Sequence, residues 1–196
     1  MAPATLLPMV PLLPLVAPLK NAAAAAGPAV KGKVLVVFFS RSGNTRVIAG
    51  QLRRTFEAPL FEIEPATPYP EDYLQTVEQA RRERDAGVRP ALKAKVANLA
   101  QYQTIFFGFP IWGETAPPVI RSFLSTHDLA GKTIIPFITH GGYGTGNSLS
   151  VLAAHASGVT IADGALVMQA DQERATMDRV NQWLAIAAHP TNKAGT

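Results

Sequence analysis

At 196 residues, with 47% hydrophobic and 16% charged residues, the chain has the size and composition of one domain with a full core, and extended disorder is excluded. It contains no cysteine, which excludes disulfides, thiolate metal sites, iron–sulfur clusters and thiol catalysis. The net charge of +4 does not mark a nucleic-acid binder: Lys20, Lys31 and Lys33 stand in an acid-free first 33 residues, leaving 15 Lys/Arg against 14 Asp/Glu.

Residues 1–32 form an Ala/Pro-rich leader. Pro3, Pro8, Pro11, Pro14 and Pro18 forbid a regular helix, and no breaker-free apolar run reaches the roughly 18 residues that span a membrane. Small residues from Ala22 to Ala26 after an apolar stretch have the form of a signal cleavage region. Export is therefore the expectation, although a basic start and a twin arginine are both missing; the alternative is a cytoplasmic protein with a disordered, inert leader.

From Lys33 short apolar runs alternate with amphipathic ones, a βαβα rhythm that implies a parallel sheet covered by helices. Val34 to Phe39 is unbroken apolar sequence, as a strand buried on both faces requires. Asn44 to Phe56 reads as a helix with Ile48, Leu52 and Phe56 on one side, and Leu60 to Ile63 as a second strand. A longer crossover, residues 65–95, carries a helix from Glu71 to Ala86. Its Arg81-Arg82-Glu83-Arg84 stretch reads as a solvated helix face. Thr104 to Phe109 is a third strand, and Pro117 to Leu124 a short helix opened by proline. Thr133 to Thr139 is a fourth strand, in which Pro136 demands a bulge or a missing ladder bond. Ser148 to Ser157 is expected to be helical, Gly164 to Met168 a last strand, and Asp171 to Ala187 a final helix with Met177, Val180, Leu184 and Ala187 inward. Residues 33–188 thus form the domain and 189–196 a flexible tail.

Ligands of open parallel sheets lie beyond the carboxyl ends of the strands, so three loops matter. Ser40-Arg41-Ser42-Gly43-Asn44-Thr45 runs from a buried strand into a helix and gathers hydroxyls, a carboxamide and backbone N–H groups at a helix N-terminus, which suits a phosphate. The competing reading is simple helix capping. Pro110-Ile111-Trp112-Gly113 offers a tryptophan to a planar ring, or to the core. Thr139-His140-Gly141-Gly142-Tyr143-Gly144 is rich enough in glycine to let backbone approach a ligand, or merely to form a mobile turn. A mononucleotide with a flat ring uses all three. No cluster of histidines has metal-ligand spacing, and no Gly-x-Ser-x-Gly elbow supports a hydrolase built on Ser40 and His140.

Ser40 to Thr45 resembles the phosphate loop of flavodoxins, Ser/Thr-x-Ser/Thr-Gly-Asn-Thr, and Trp112-Gly113 resembles the Trp-Gly of the loop that covers their isoalloxazine ring. The likeness runs from Lys33 to Ala187 and is strongest to bacterial flavodoxin-like proteins. It implies an α/β, doubly wound, five-stranded parallel sheet of order 2-1-3-4-5 with helices on both faces. It also implies FMN as cofactor. Ser40, Ser42, Gly43, Asn44 and Thr45 would hold the phosphate, and Arg41 would occupy the variable position. Trp112 would lie on the flavin with Gly113 near N5, residues Thr139 to Gly144 along the pyrimidine side, and Tyr143 or His140 at the second face. The implied activity is electron transfer through the flavin, as an oxidoreductase acting on a quinone or other small acceptor. A one-electron carrier between proteins and a flavin-less binding module are the alternatives. Carrier flavodoxins are strongly acidic, whereas Glu114 is the one acid near these loops.

Overall fold

The buried-strand patterns assemble into one parallel sheet in the computed structural model, which describes residues 29–169 and 173–188, with backbone alone for 173–178 and for 187 and 188. In chain order the elements are β1 (Val34–Phe38), α1 (Asn44–Phe56), β2 (Leu60–Glu62), α2 (Tyr73–Asp85), a 3₁₀ turn (Leu99–Gln101), β3 (Thr104–Pro110), α3 (Pro118–Thr126), β4 (Thr133–His140), α4 (Ser148–His155), β5 (Thr160–Ile161), β6 (Leu166–Gln169) and α5 (Glu173–Ala188). The sheet runs β2-β1-β3-β4-β5, with every pair parallel. Residues 1–28 of the expected 1–32 leader, the tail 189–196, the start of the last helix at Asp171, and the inward side chains of Met177 and Ala187 lie outside the described residues.

The fifth lane differs from expectation in one respect. Where a single strand over 164–168 was anticipated, two short strands share the edge of β4: β5 beside Thr133 and Ile134, and β6 beside Phe137 to His140. The gap between them falls opposite Pro136. Ile134 turns its carbonyl toward this edge, accepting from Ala162 N–H at 2.8 Å. Pro136, two residues on, faces the same way, so the N–H it lacks is missing where no neighbour needs it. The register of β4 on β3 is continuous, Phe107 beside Pro136, so the missing ladder bond and not a bulge accommodates the proline.

Alternation along the strands builds two cores. Leu35, Val37 and Phe39, with Ile105, Phe107 and Phe109, face α3 and α4 through Val119, Ile120, Phe123 and Leu152. Val36, Phe38, Phe106, Ile135 and Phe137 face α1 and α5 through Ile48, Leu52, Val180 and Leu184. Gly108 in β3 is obligatory for packing: a Cβ there would run into the Phe137 ring. Val30, ahead of the expected domain start, packs on the second core, and Lys31 exchanges hydrogen bonds with the Thr104 side chain at 3.0 and 2.7 Å. Among the described residues no helix is long and apolar enough to cross a membrane.

Candidate functional site

β1, β3 and β4 are the central strands, so the loops that leave their carboxyl ends meet at one edge of the sheet. They border a cleft of about 460 Å³, within the range of small-molecule sites. From the first loop Ser40, Arg41, Ser42, Asn44 and Thr45 line it, from the second Pro110, Ile111, Trp112 and Gly113, and from the third Thr139, His140 and Gly141.

The first loop is built as an open helix end. Gly43 is the N-cap of α1, in left-handed conformation at φ 96°, and supplies no side-chain cap. Ser40 Oγ instead reaches forward to accept from the N–H groups of Gly43 (3.2 Å) and Arg46 (3.4 Å). The N–H groups of Asn44 and Thr45 have no protein acceptor among the described residues. A helix start with two uncommitted donors and no acid in its first turn has the chemistry to accept an anion. Ser40 thus caps part of the helix start, and the Asn44 and Thr45 N–H groups remain uncapped. The Asn44 amide donates to Ser42 Oγ at 3.3 Å, and Thr45, buried, shares a 2.9 Å hydrogen bond with Thr139 that ties the first loop to the third.

The second loop turns sharply. Trp112 N–H donates to the Thr115 carbonyl at 2.9 Å across Gly113 (φ 57°) and Glu114 (φ 63°), both left-handed, as in a type I′ turn. The half-buried Trp112 ring stands edge-on to Phe39, 5.2 Å between centroids, and to Tyr69, 4.9 Å. It therefore belongs to the core and to the cleft at once. Tyr69 donates its hydroxyl proton to Glu83 Oε2 at 2.8 Å. Burial, reinforced by that carboxylate, pushes its phenol far above the ordinary range.

The third loop uses its glycines mainly against protein. Gly146 lies so close to Glu114 that a Cβ would strike the Glu114 carbonyl, and Asn147 N–H donates to that same oxygen at 3.0 Å. His140 Nδ1 accepts from the N–H groups of Gly142 (3.0 Å) and Gly144 (3.3 Å), which leaves the ring proton on Nε2. His140 thus braces its own loop. Gly43, Gly142, Tyr143 and Gly144 are not among the cleft-lining residues, and Tyr143 is 87% exposed.

The remaining wall comes from α2, which loop-by-loop reading did not include. Tyr73, Thr76, Val77, Ala80, Arg81 and Arg84 face the cleft. Arg41 lies over the Tyr73 ring, 5.7 Å from its centroid, and donates to the Glu71 carbonyl at 2.6 Å. At the other end of the helix, a Cβ added to Gly113 would come 2.5 Å from Arg84 Nη1. Arg81 and Arg84 border the cleft and Arg82 does not, while Arg81 and Arg82, both exposed, pair with Glu78 at 3.0 and 3.4 Å, as a solvated helix face requires.

A family model described as Flavodoxin matches residues 33–186. Two solved structures are 32% identical: a protein of Bacteroides uniformis ATCC 8492 assigned as a flavoprotein (TM-score 0.68, covering 79% of this chain and 98% of that one), and a protein of Bacteroides eggerthii DSM 20697 with the same assignment (0.66, 81% and 99%). A flavoprotein from Lactobacillus acidophilus NCFM in complex with FMN shares the fold at 19% identity (0.62, 79% and 99%). No curated protein gives a significant match.

Proposed function

The chain belongs to the flavodoxin family, and from that membership we propose that it holds one FMN in this cleft and passes electrons through it to a small acceptor, a quinone being the favoured class. The uncapped start of α1 carries this reading, because it offers an anion two free N–H donors and the positive end of a helix. That a related fold is in complex with FMN adds support.

The residues fit the group. Asn44 and Thr45 donate from the backbone to the phosphate, Ser42 adds its hydroxyl, and Gly43 keeps the turn clear, with no atom within 4 Å of where a Cβ would stand. Trp112, pinned by Phe39 and Tyr69, gives the ring an aromatic wall already fixed before binding. The Gly113–Glu114 turn brings backbone to the ring's edge. His140 acts by holding the third loop in place. When bound, FMN supplies the redox chemistry; the chain binds it, orients it and sets its electrostatic surroundings. Among the described residues the cleft lining contains Arg41, Arg81 and Arg84 and no carboxylate, the opposite of the acidic surround that favours a low-potential carrier.

A carrier between protein partners is the second reading, favoured by Tyr73, Leu74 and Val77, which stand exposed on α2 beside the cleft. The first test is an absorption spectrum after adding FMN and removing the excess. Retained flavin bands, bleached by dithionite, are expected; a colourless protein would overturn the proposal. Rapid reoxidation of the reduced protein by a soluble quinone then separates the two readings.

A further inference from the structure

Resting on the FMN reading above, we propose that the Arg81–Arg84 end of α2 is a recognition site for a second ligand, planar and anionic, taken up beside the flavin. The cleft-facing residues of α2 recur at helical spacing, Tyr73, Val77, Ala80, Arg81 and Arg84, so one face of the helix is presented to the ligand space. That face is graded. Its first two turns are aromatic and aliphatic, and its last turn is cationic.

The two ends of α2 stand at different parts of the site. Its start lies at the anion-binding loop, where Tyr73 sits under the Arg41 guanidinium. Its end lies at the Trp112–Thr115 turn, where Arg84 Nη1 crowds Gly113. Eleven residues of helix separate Tyr73 from Arg84, about 16 Å along the axis. A single phosphate seated at the start of α1 is too small to serve both ends. The cations at the far end are therefore available to a different anionic group.

The carboxylates near them do not cancel this. Arg81 is paired with Glu78 at 3.0 Å and Arg84 with Asp85 at 3.0 Å, but neither acid lines the cleft. Solvent screens exposed pairs of this kind, so an anion arriving from the cleft side adds to them with little competition. Arg82 and Arg84 both stand in the last turn, where they complement the negative end of the helix dipole. Neither those acids nor the helix dipole requires a guanidinium on the cleft side, which Arg81 and Arg84 border and Arg82 does not. An apolar ring system with a sulfonate, carboxylate or phosphate substituent matches the gradation, its ring along Val77 and Ala80 and its anion at Arg84.

The test is calorimetric titration of the FMN-loaded protein with anthraquinone sulfonate and with hydroxymethyl anthraquinone, which share a ring system and differ in charge. Wild type is expected to bind the sulfonate more tightly, with affinity falling as salt rises. Arg84→Gln should lose about tenfold toward the sulfonate and nothing toward the neutral compound. Arg84→Lys should fall between them, and Arg81→Gln should lose less than Arg84→Gln. All variants should retain FMN as wild type does. Equal sulfonate affinity in wild type and Arg84→Gln overturns the proposal and leaves the FMN reading standing. Loss of FMN by Arg84→Gln alone overturns it too, by assigning the arginine to the cofactor. A wild type that takes up no FMN removes both.

Discussion

Ser42 and Thr45 occupy the same loop and the same family pattern, yet their surroundings give them separate tasks. Ser42 is exposed and takes one weak bond from the Asn44 amide, so its hydroxyl is free to donate into the cleft. Ser42→Ala is expected to weaken FMN binding about tenfold while the apo protein unfolds as wild type does; fluorescence titration of FMN checks the first and urea unfolding the second. Thr45 is buried and bonded to Thr139, also buried. Thr45→Val leaves the Thr139 hydroxyl without its partner and should cost about 1–3 kcal/mol of stability, read as a lower urea midpoint at unchanged slope. Both residues could be placed at the carboxyl edge of the sheet from their positions after a buried strand, and both border the cleft. That one hydroxyl is free and the other clasps a second loop 94 residues away was not legible, because the clasp exists only once β1 and β4 lie two lanes apart in the same sheet.

α2 and the crossover around it are held by two neutral side chains, and each makes an element-scale prediction. Tyr69 anchors α2 through Glu83, whose other oxygen takes the Gln79 amide at 2.8 Å. Tyr69→Phe keeps the ring against Trp112 but strands that carboxylate oxygen, so a loss of about 1 kcal/mol is expected, together with a change in Trp fluorescence that a surface substitution would not cause. His127, just past α3, stacks on Phe123 with centroids 4.0 Å apart. Its Nε2 accepts the Val96 N–H at 3.0 Å, so Nδ1 carries the proton and faces the Phe123 carbonyl at 3.0 Å. Burial lowers its pKa below the ordinary 6.5, opposed by the Phe123 carbonyl and helped by Lys95. The unfolded chain therefore binds a proton that the folded chain refuses, and stability falls as pH drops from 6.5 toward the folded pKa. Urea unfolding of wild type and His127→Gln across that window should show their difference shrinking toward acid; a constant difference would refute the assignment. The helix itself was readable from its sequence. Its surroundings were not: Arg81, Arg82 and Arg84 are alike on paper, and only the seating of α2 beside the β3–α3 turn puts Arg81 and Arg84 at the border of the cleft and leaves Arg82 off it.

At the scale of the whole molecule, a ligand that binds only the folded state stabilises it by mass action. FMN at a hundredfold excess over its Kd should add about 2.7 kcal/mol, which raises the Tm of a domain this size by about 5–10 °C. A melting temperature indifferent to FMN would contradict the proposed cofactor. What the amino-acid sequence determined by itself was the local grammar. Uninterrupted apolar runs at Val34, Thr104 and Thr133 could satisfy their backbone only as buried parallel strands, and the loops after them could lie only at the carboxyl edge. The tertiary structure alone decided the matters that depend on distant residues meeting. It set the missing N–H of Pro136 against the gap between β5 and β6, and divided one expected edge strand into two. It turned Tyr143 out to solvent and turned Tyr73 from α2 toward the cleft. It also lodged Gly146 on the Glu114 backbone, so that glycines which read as room for a ligand serve to dock one loop on another. Periodicity records which face of an element is buried; which neighbour covers that face is fixed by close packing across the whole sheet.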